Sequence, residues 1–265
     1  MPHVDYTPTD EERGQASAWR AERTLGTAWR AYRAFCQDPR WATDSELPVF
    51  DEDDNAHEEY EQRVTLHMRA DARVVLVCEK GHILDAIDTW RNSERPSVAH
   101  AWKASLAWAP SLPSRWTSRI LASHAKDVGA PLAYFGDLDP QALHAFAVLR
   151  AGSHRALLSG KPKGPTVTWI GLDSGWLEVV CRHFRTDEIP VQMKIRLDWL
   201  DQEYWELVKR LVPDVRKLIG ARGFALLESG VKLEADALLH MREAFLDEFG
   251  RRVGRLVRKR GHPHS

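Results

Sequence analysis

Cysteine is scarce in this chain of 265 residues, where Cys36, Cys78 and Cys181 are the only three and no CxxC pair occurs. An odd number of widely spaced cysteines argues against a disulfide framework and a cysteine zinc site. Long apolar runs are also missing: runs such as Val74–Cys78 stop after five residues, whereas a membrane-spanning helix needs about 20. The first residues lack the basic start and apolar stretch of a secretory signal. We therefore expect a cytoplasmic protein without a membrane partner.

Net charge is nearly absent as well, because 37 lysines and arginines face 38 aspartates and glutamates, which gives −1 at pH 7. This balance excludes a uniformly basic protein that coats nucleic acid. The charge is nevertheless unevenly divided. Residues 1–62 hold 6 basic and 15 acidic residues (net −9), and residues 63–265 hold 31 and 23 (net +8). The longer part is compatible with a nucleic-acid partner, and we expect the acidic N-terminal part to shield it.

Short apolar segments alternate with helical patterns in the middle of the chain. Strands are predicted at Arg73–Cys78, within Pro131–Pro140 and at Val167–Gly171, and apolar residues at helical spacing follow each of them. The stretch Asn92–Pro113 is interpreted as a loop, and Leu233–Val257 as one long helix. The alternation indicates an α/β fold with a mainly parallel sheet flanked by helices.

Three regions follow from this pattern. Residues 1–70 are predicted to form an N-terminal helical segment, with a helix over 9–36, and an acidic linker over 44–61. Residues 71–185 are predicted to form the α/β core. Residues 186–265 are predicted to form a C-terminal helical region with a basic tail. The fold class is thus α/β with helical extensions at both ends.

Three carboxylates follow the predicted strands. Glu79 comes directly after the first strand, and Asp137 and Asp139 come after the second, separated by one residue. In extended chain, residues i and i+2 point to the same side, and open parallel sheets bind ligands beyond the carboxyl ends of their strands. Oxygen ligands of this kind suit Mg²⁺ or Mn²⁺, which support phosphodiester cleavage. The alternative is an exposed turn in which Asp137 or Asp139 caps a helix that begins at Pro140.

The segments VLVCEKGHILDAI (Val75–Ile87) and YFGDLDPQALHAF (Tyr134–Phe146) resemble the Toprim domain. The motif GDLDP and the stretch LLESGVKLEADALL (Leu226–Leu239) are most similar to one branch of the Toprim family. That branch contains the A subunit of type IIB topoisomerases and the Wadjet nuclease subunit JetD. The resemblance implies a Toprim-like, Rossmann-like fold in which Glu79, Asp137 and Asp139 bind Mg²⁺ (or Mn²⁺) and act catalytically. It also implies a supporting role for Glu234, whose alternative is a solvated helix face.

The resemblance implies a Mg²⁺-dependent DNA endonuclease, the nuclease component of a bacterial anti-phage or anti-plasmid defence system with a protein partner. Two departures from the family pattern matter. Ala142 stands where the family usually has glycine, and only about 70 residues precede Arg73, with no context there for a nucleophilic tyrosine. Hydrolytic nicking is therefore expected rather than topoisomerase activity. The sequence leaves open a homodimer and the choice between one and two metal ions.

Basic residues near the predicted site and at the C-terminus are candidates for contacts with DNA phosphates. They are Lys80, Lys161, Lys163, Arg251, Arg252 and Arg255. The alternative for each is an ordinary surface charge. Two rival functions also remain: a phosphatase or sugar transferase with a DxD motif, and a non-catalytic Toprim-like subunit that positions DNA or docks a partner. Gln141 and Pro140 do not fit the DxDGT pattern of the phosphatases.

Overall fold

The computed structural model describes residues 65–67, 69–93, 103–108, 113, 115–158, 160 and 164–260. The chain divides into two units, Met1–Phe50 and Asp51–Ser265, and every described residue belongs to the second. The predicted N-terminal helix, the acidic linker and the loop lysines Lys161 and Lys163 lie outside the described residues.

A five-stranded sheet forms the centre of the described region. Its strands are β1 (Thr65–His67), β2 (Val74–Cys78), β3 (Ala104–Trp108), β4 (Leu132–Phe135) and β5 (Val167–Trp169). The spatial order is β1-β3-β2-β4-β5, in which β3, β2, β4 and β5 run parallel and β1 is antiparallel to β3. All five residues of β2 are buried, as expected of a central strand covered on both faces. The predicted α/β fold with a mainly parallel sheet is therefore confirmed.

Helices connect and cover these strands. They are α1 (Gly81–Ser93), α2 (Arg115–Asp127), α3 (Pro140–Ala151), α4 (His154–Leu158), α5 (Ser174–Phe184), α6 (Trp199–Leu211), α7 (Val215–Glu228), α8 (Asp236–Leu239) and α9 (Arg242–Arg260). A 3₁₀ turn (Val191–Met193) precedes a two-stranded antiparallel sheet of β6 (Ile195–Arg196) and β7 (Val231–Lys232). Among the residues that the structure describes, no helix has the length and apolar character needed to cross a membrane.

The C-terminal helices share a core with the sheet. The ring of Phe135 on β4 makes edge contacts with Trp176 of α5 and with Phe245 and Phe249 of α9. All four rings are buried, so α5 and α9 close one side of the core beside β4. The predicted boundary between residues 185 and 186 stays a prediction, but the residues on its two sides pack against each other.

Two expectations about secondary structure are wrong. The stretch predicted as a loop contains β3, a buried strand between β1 and β2. Its sequence, ASLAW, lacks the β-branched residues that favour strands, so its pairing partners determine its conformation. The helix predicted from Leu233 is interrupted, because Leu233 pairs with Leu138 through two backbone hydrogen bonds of 3.0 and 3.2 Å. A short α8 follows, and the long helix α9 begins only at Arg242.

Candidate carboxylate site at the sheet edge

The pairing of β2 with β4 brings the predicted acids to one edge of the sheet. Cys78 lies opposite Phe135 at the carboxyl ends of these parallel strands, so Glu79 and Asp137 leave neighbouring strands at nearly the same level. The indole N–H of Trp108 on β3 donates to the backbone carbonyl of Glu79 at 2.8 Å. Three strands therefore fix the start of the site.

Two glycines allow the chains after β4 and β5 to touch. A Cβ atom added to Gly171 would clash with the backbone oxygen and nitrogen of Gly136, and one added to Gly136 would lie 2.7 Å from the Tyr134 ring. The N–H of Leu172 donates to the carbonyl of Gly136 at 3.0 Å. Only glycine permits this close approach, which holds the backbone before Asp137 in place.

Asp137 uses both of its carboxylate oxygens in this structure. Its Oδ1 accepts the backbone N–H of Ala235 at 2.7 Å, and its Oδ2 lies 2.9 Å from Nζ of Lys80. The residue is only 3% exposed. Asp137 therefore anchors the C-terminal segment that contains Ala235 to the sheet edge, a contact that the sequence did not predict.

Asp139 caps helix α3. It has extended backbone geometry, and its Oδ1 accepts the N–H of Ala142 at 2.6 Å, with Pro140 at the first helical position. The helix-cap alternative predicted from the sequence thus describes one of its two oxygens. Capping and ligand binding do not exclude each other, because a carboxylate has two oxygens and about four acceptor positions.

The three acids Glu79, Asp137 and Asp139, called the carboxylate cluster below, all have raised pKa values. Burial raises the pKa of Glu79 well above its ordinary value, and the charges of Asp139 and Asp137 raise it further. Burial and the charge of Asp137 raise the pKa of Asp139 to about 7. For Asp137, burial outweighs the opposing effect of Lys80, so its pKa is also raised. The cluster therefore favours a bound proton or cation.

Two buried polar atoms at this site are unsatisfied. Among the described residues, neither Oε1 of Glu79 nor the hydroxyl of Tyr134 has a hydrogen-bond partner. Both groups lie within electrostatic range of each other and of Asp139. An unpaired buried carboxylate oxygen costs free energy, and a bound cation would remove that cost.

The chemical type of the cluster's side chains fits Mg²⁺. Carboxylate oxygens are the ligands that Mg²⁺ prefers, and the three members of the carboxylate cluster offer oxygen rather than the nitrogen or sulfur that favours zinc. Within the described residues, however, no group of three or more histidine, cysteine, aspartate or glutamate side chains has the arrangement of a metal site. Both oxygens of Asp137 already have partners, the N–H of Ala235 and the ammonium of Lys80.

Two further acids, Glu234 and Asp236, face the cluster from the segment Val231–Leu239, which we call the strap. Nζ of Lys80 lies 2.8 Å from Oδ2 of Asp236 and 3.4 Å from Oε2 of Glu234. His82 also contacts Asp236 through its Nε2. Burial lowers the pKa of Lys80, but Asp137 and Asp236 outweigh it and raise that pKa above the ordinary value. Lys80 is therefore a charged ammonium held by three carboxylates.

Sequence reasoning missed two residues here, Asp236 and Lys232. Nζ of Lys232 lies 3.0 Å from Oδ2 of the buried Asp201, and its charge also acts on Asp139. The contacts of Glu234 and Asp236 depend on the turn at Ala235, which has helical φ and ψ before α8 begins at Asp236, and the spacing of the two acids does not reveal that turn. The prediction of a continuous helix from Leu233 concealed it.

The predicted phosphate-binding arginines are placed differently from one another. Arg252 is buried, donates to both oxygens of Asp173 at 2.7 Å each and to Glu248 at 2.6 Å, and lies over the Trp176 ring. It is committed to the fold, so the surface contact predicted for it does not fit its position. Arg251 pairs with Glu248 at 2.5 Å with half of its side chain exposed. Arg255 is exposed.

Comparison with known proteins adds no family assignment. No protein-family model matches this chain, and no curated protein does. The interpretation of the site therefore depends on its geometry and on the motif resemblance.

Proposed function

We propose that this protein is a Mg²⁺-dependent (or Mn²⁺-dependent) DNA endonuclease of the Toprim type that hydrolyses or nicks phosphodiester bonds. The observation that carries the proposal is the carboxylate cluster at the carboxyl ends of two neighbouring parallel strands, with a buried Glu79 oxygen that has no partner in the part of the chain that the structure describes. Several acids buried together at a sheet edge lower the stability of the folded protein. A role as ligands explains why they are nevertheless present.

The proposal assigns a role to each acid. Glu79, Asp137 and Asp139 would hold the metal ion, which supplies positive charge at the phosphate and lowers the pKa of the attacking water. The raised pKa of Glu79 suits a group that takes up and releases a proton during the reaction. Lys80 would contact a phosphate, as would the exposed Arg255 and Arg251. Glu234 would position Lys80, with which it forms an ion pair.

The motif resemblance also suggests a cellular role. It supports a role as the nuclease of an anti-phage or anti-plasmid defence complex in the cytoplasm, with a protein partner. The net charge of +8 over residues 63–265 is compatible with DNA as the substrate.

The test is the nicking of supercoiled plasmid by the full chain, with and without Mg²⁺ or Mn²⁺. Glu79→Gln and Asp137→Asn remove one charge each with little change in volume. We expect each to lower the nicking rate by about a hundredfold or more, the range that a single acid–base group contributes.

Matched controls remove the same charges elsewhere. Asp85→Asn on α1 and Glu203→Gln on α6 change exposed carboxylates and should leave nicking unchanged. Circular dichroism checks that all four variants are folded. Unchanged nicking by both site variants, or the absence of nicking with either cation, would reject the proposed site.

The second candidate function is a non-catalytic subunit that positions DNA or docks a partner. The ion pairs of Lys80 favour it, because a built-in ammonium already neutralises Asp137. Salt-sensitive DNA binding without cation-dependent cleavage would support this candidate. Density between Glu79, Asp137 and Asp139 in crystals soaked with Mn²⁺ would instead support the enzyme.

A further inference from the structure

Lys80 forms an ion pair with the Asp137 carboxylate, which the proposed cation would also bind. Its Nζ lies 2.9 Å from Oδ2 of Asp137, and the other oxygen, Oδ1, accepts the N–H of Ala235. A hydrogen bond from a backbone amide leaves room for a cation on the same carboxylate, but an ammonium does not. Two positive charges at one oxygen repel each other strongly wherever water is largely excluded.

The site is sheltered enough for this repulsion to matter. The Asp137 side chain is 5% exposed and that of Lys80 is 20% exposed. Screening by water is therefore weak at the contact between them. Lys80 and a divalent cation cannot both be bound to Asp137 at low cost.

The strap already supplies two further partners for the ammonium. Asp236 and Glu234 lie 2.8 and 3.4 Å from Nζ, and their side chains are 39% and 40% exposed. They can therefore follow a movement of the lysine. Lys80 can release Asp137 and keep two carboxylate partners, so no buried charge is left unpaired.

We propose that Lys80 is a built-in competitor of the divalent cation: it holds Asp137 in the cation-free protein, and when the cation binds it releases Asp137 and keeps its contacts with Asp236 and Glu234. This inference rests on the proposed function, since it assumes that a divalent cation binds Asp137. It makes Lys80 a positioning residue, and its contact with a substrate phosphate becomes conditional on cation binding.

The competition predicts an increase in cation affinity when the ammonium is removed. The test measures Mn²⁺ binding to the full chain, by calorimetry and by the electron paramagnetic resonance signal of free Mn²⁺, without DNA. Lys80→Met should bind Mn²⁺ about tenfold or more tightly than the wild type, because a charge a few ångströms from the ion is gone. Lys80→Arg keeps the charge and should remain within about threefold of the wild type.

Lys232→Met controls for the general field. Lys232 is bound to Asp201 and not to Asp137, so its removal should tighten Mn²⁺ binding much less than that of Lys80. Asp236→Asn changes a half-buried carboxylate and does not depend on the folding of Lys80→Met. It should weaken Mn²⁺ binding several-fold, because the ammonium loses its alternative partner.

Five outcomes overturn the inference. Three concern Lys80→Met alone or against Lys232→Met: Mn²⁺ affinity equal to that of the wild type, weaker Mn²⁺ binding by the folded variant, and an effect equal to that of Lys232→Met. The other two are tight binding by Lys80→Met that Lys80→Arg shares, and unchanged or tighter binding by Asp236→Asn. Failure of the proposed function is a different result. If neither the wild type nor Lys80→Met binds Mn²⁺, the carboxylate cluster is not a cation site. If both bind equally well and the wild type nicks plasmid, the inference alone fails.

Discussion

Replacement of Asp139 by asparagine is expected to stabilise the protein at alkaline pH when divalent cations are removed. The carboxyl group of Asp139 is mostly removed from water and lies near Asp137. Its second function, the cap of α3 through Oδ1, survives the change, because asparagine caps helices as well as aspartate does. The substitution therefore removes the charge and keeps the hydrogen bond.

The pKa of Asp139 sets the size of the effect. A carboxyl group with a pKa of about 7 in the fold, against an ordinary value of 3.8, costs about 4 kcal/mol of stability once it is fully ionised. Since the folded-state pKa is the higher one, the folded protein binds more protons between the two values. The cost is therefore largest above pH 7, shrinks as the pH falls from 7 towards 4, and vanishes below that.

Urea unfolding followed by tryptophan fluorescence, with 11 tryptophans as probes, measures this difference in the presence of a chelator. We expect the Asp139→Asn variant to exceed the wild type by up to about 4 kcal/mol near pH 8 and by nearly nothing near pH 4. Asp85→Asn, at an exposed position, is the matched control and should show little change. Mn²⁺ should stabilise the wild type more than the variant.

Two results would refute this reasoning about Asp139. One is a lower unfolding free energy of Asp139→Asn near pH 8, which would mean that its charge is favourable in the fold. The other is a gain that is the same near pH 8 and near pH 4, which would mean that the charge is not its source.

Three further predictions concern stability. Burial lowers the pKa of His144 well below its ordinary value and that of His154 to about 4, so protonation favours the unfolded chain below pH 6.5. The stability of the wild type relative to His154→Phe should fall by up to about 3 kcal/mol from pH 6.5 to 4 in urea unfolding, and a constant difference would contradict this. Gly220 has φ +75° and lies against Ser174 Oγ, whereas none of the described residues lies within 4 Å of a Cβ atom added to Gly254 in α9. Alanine at 220 should lower the melting temperature and at 254 raise it, because only the first is strained. Arg252→Lys should cost about 1 to 3 kcal/mol through the lost two-point contact with Asp173, measured by denaturant unfolding.

The sheet could be predicted where the strand sequence itself is distinctive. Val74–Cys78 is an apolar, β-branched run, and burial on both faces leaves such a strand no polar alternation. Ala104–Trp108 could not be predicted, because alanine and serine carry no strand preference and Ser105 is buried through its hydrogen bond to His124. Its conformation depends on partners far away in the chain.

The sheet edge that carries the candidate site could be predicted from the sequence, but the strap that faces it could not. Ligands bind beyond the carboxyl ends of parallel strands, which predicted one edge for Glu79 and Asp137 on the condition that their strands are neighbours. The parallel pairing of β2 with β4 meets that condition. The strap reaches that edge through a bridge between Leu138 and Leu233, about a hundred residues apart in the sequence. Helical spacing of the leucines after residue 233 favoured a helix there, since local patterns carry no information about such a distant partner.

The contacts of the two aspartates decide how the proposed function should be tested. Asp139 caps α3 through one oxygen, and Asp137 holds the strap through Ala235. An alanine at either position would remove a structural hydrogen bond together with the charge, so lost activity would not separate a ligand from an anchor. Asparagine retains a carbonyl oxygen for the amide donor and lacks the negative charge that a divalent cation requires. A loss of nicking with retained stability in Asp137→Asn therefore argues for a ligand, whereas a parallel loss of both argues for an anchor.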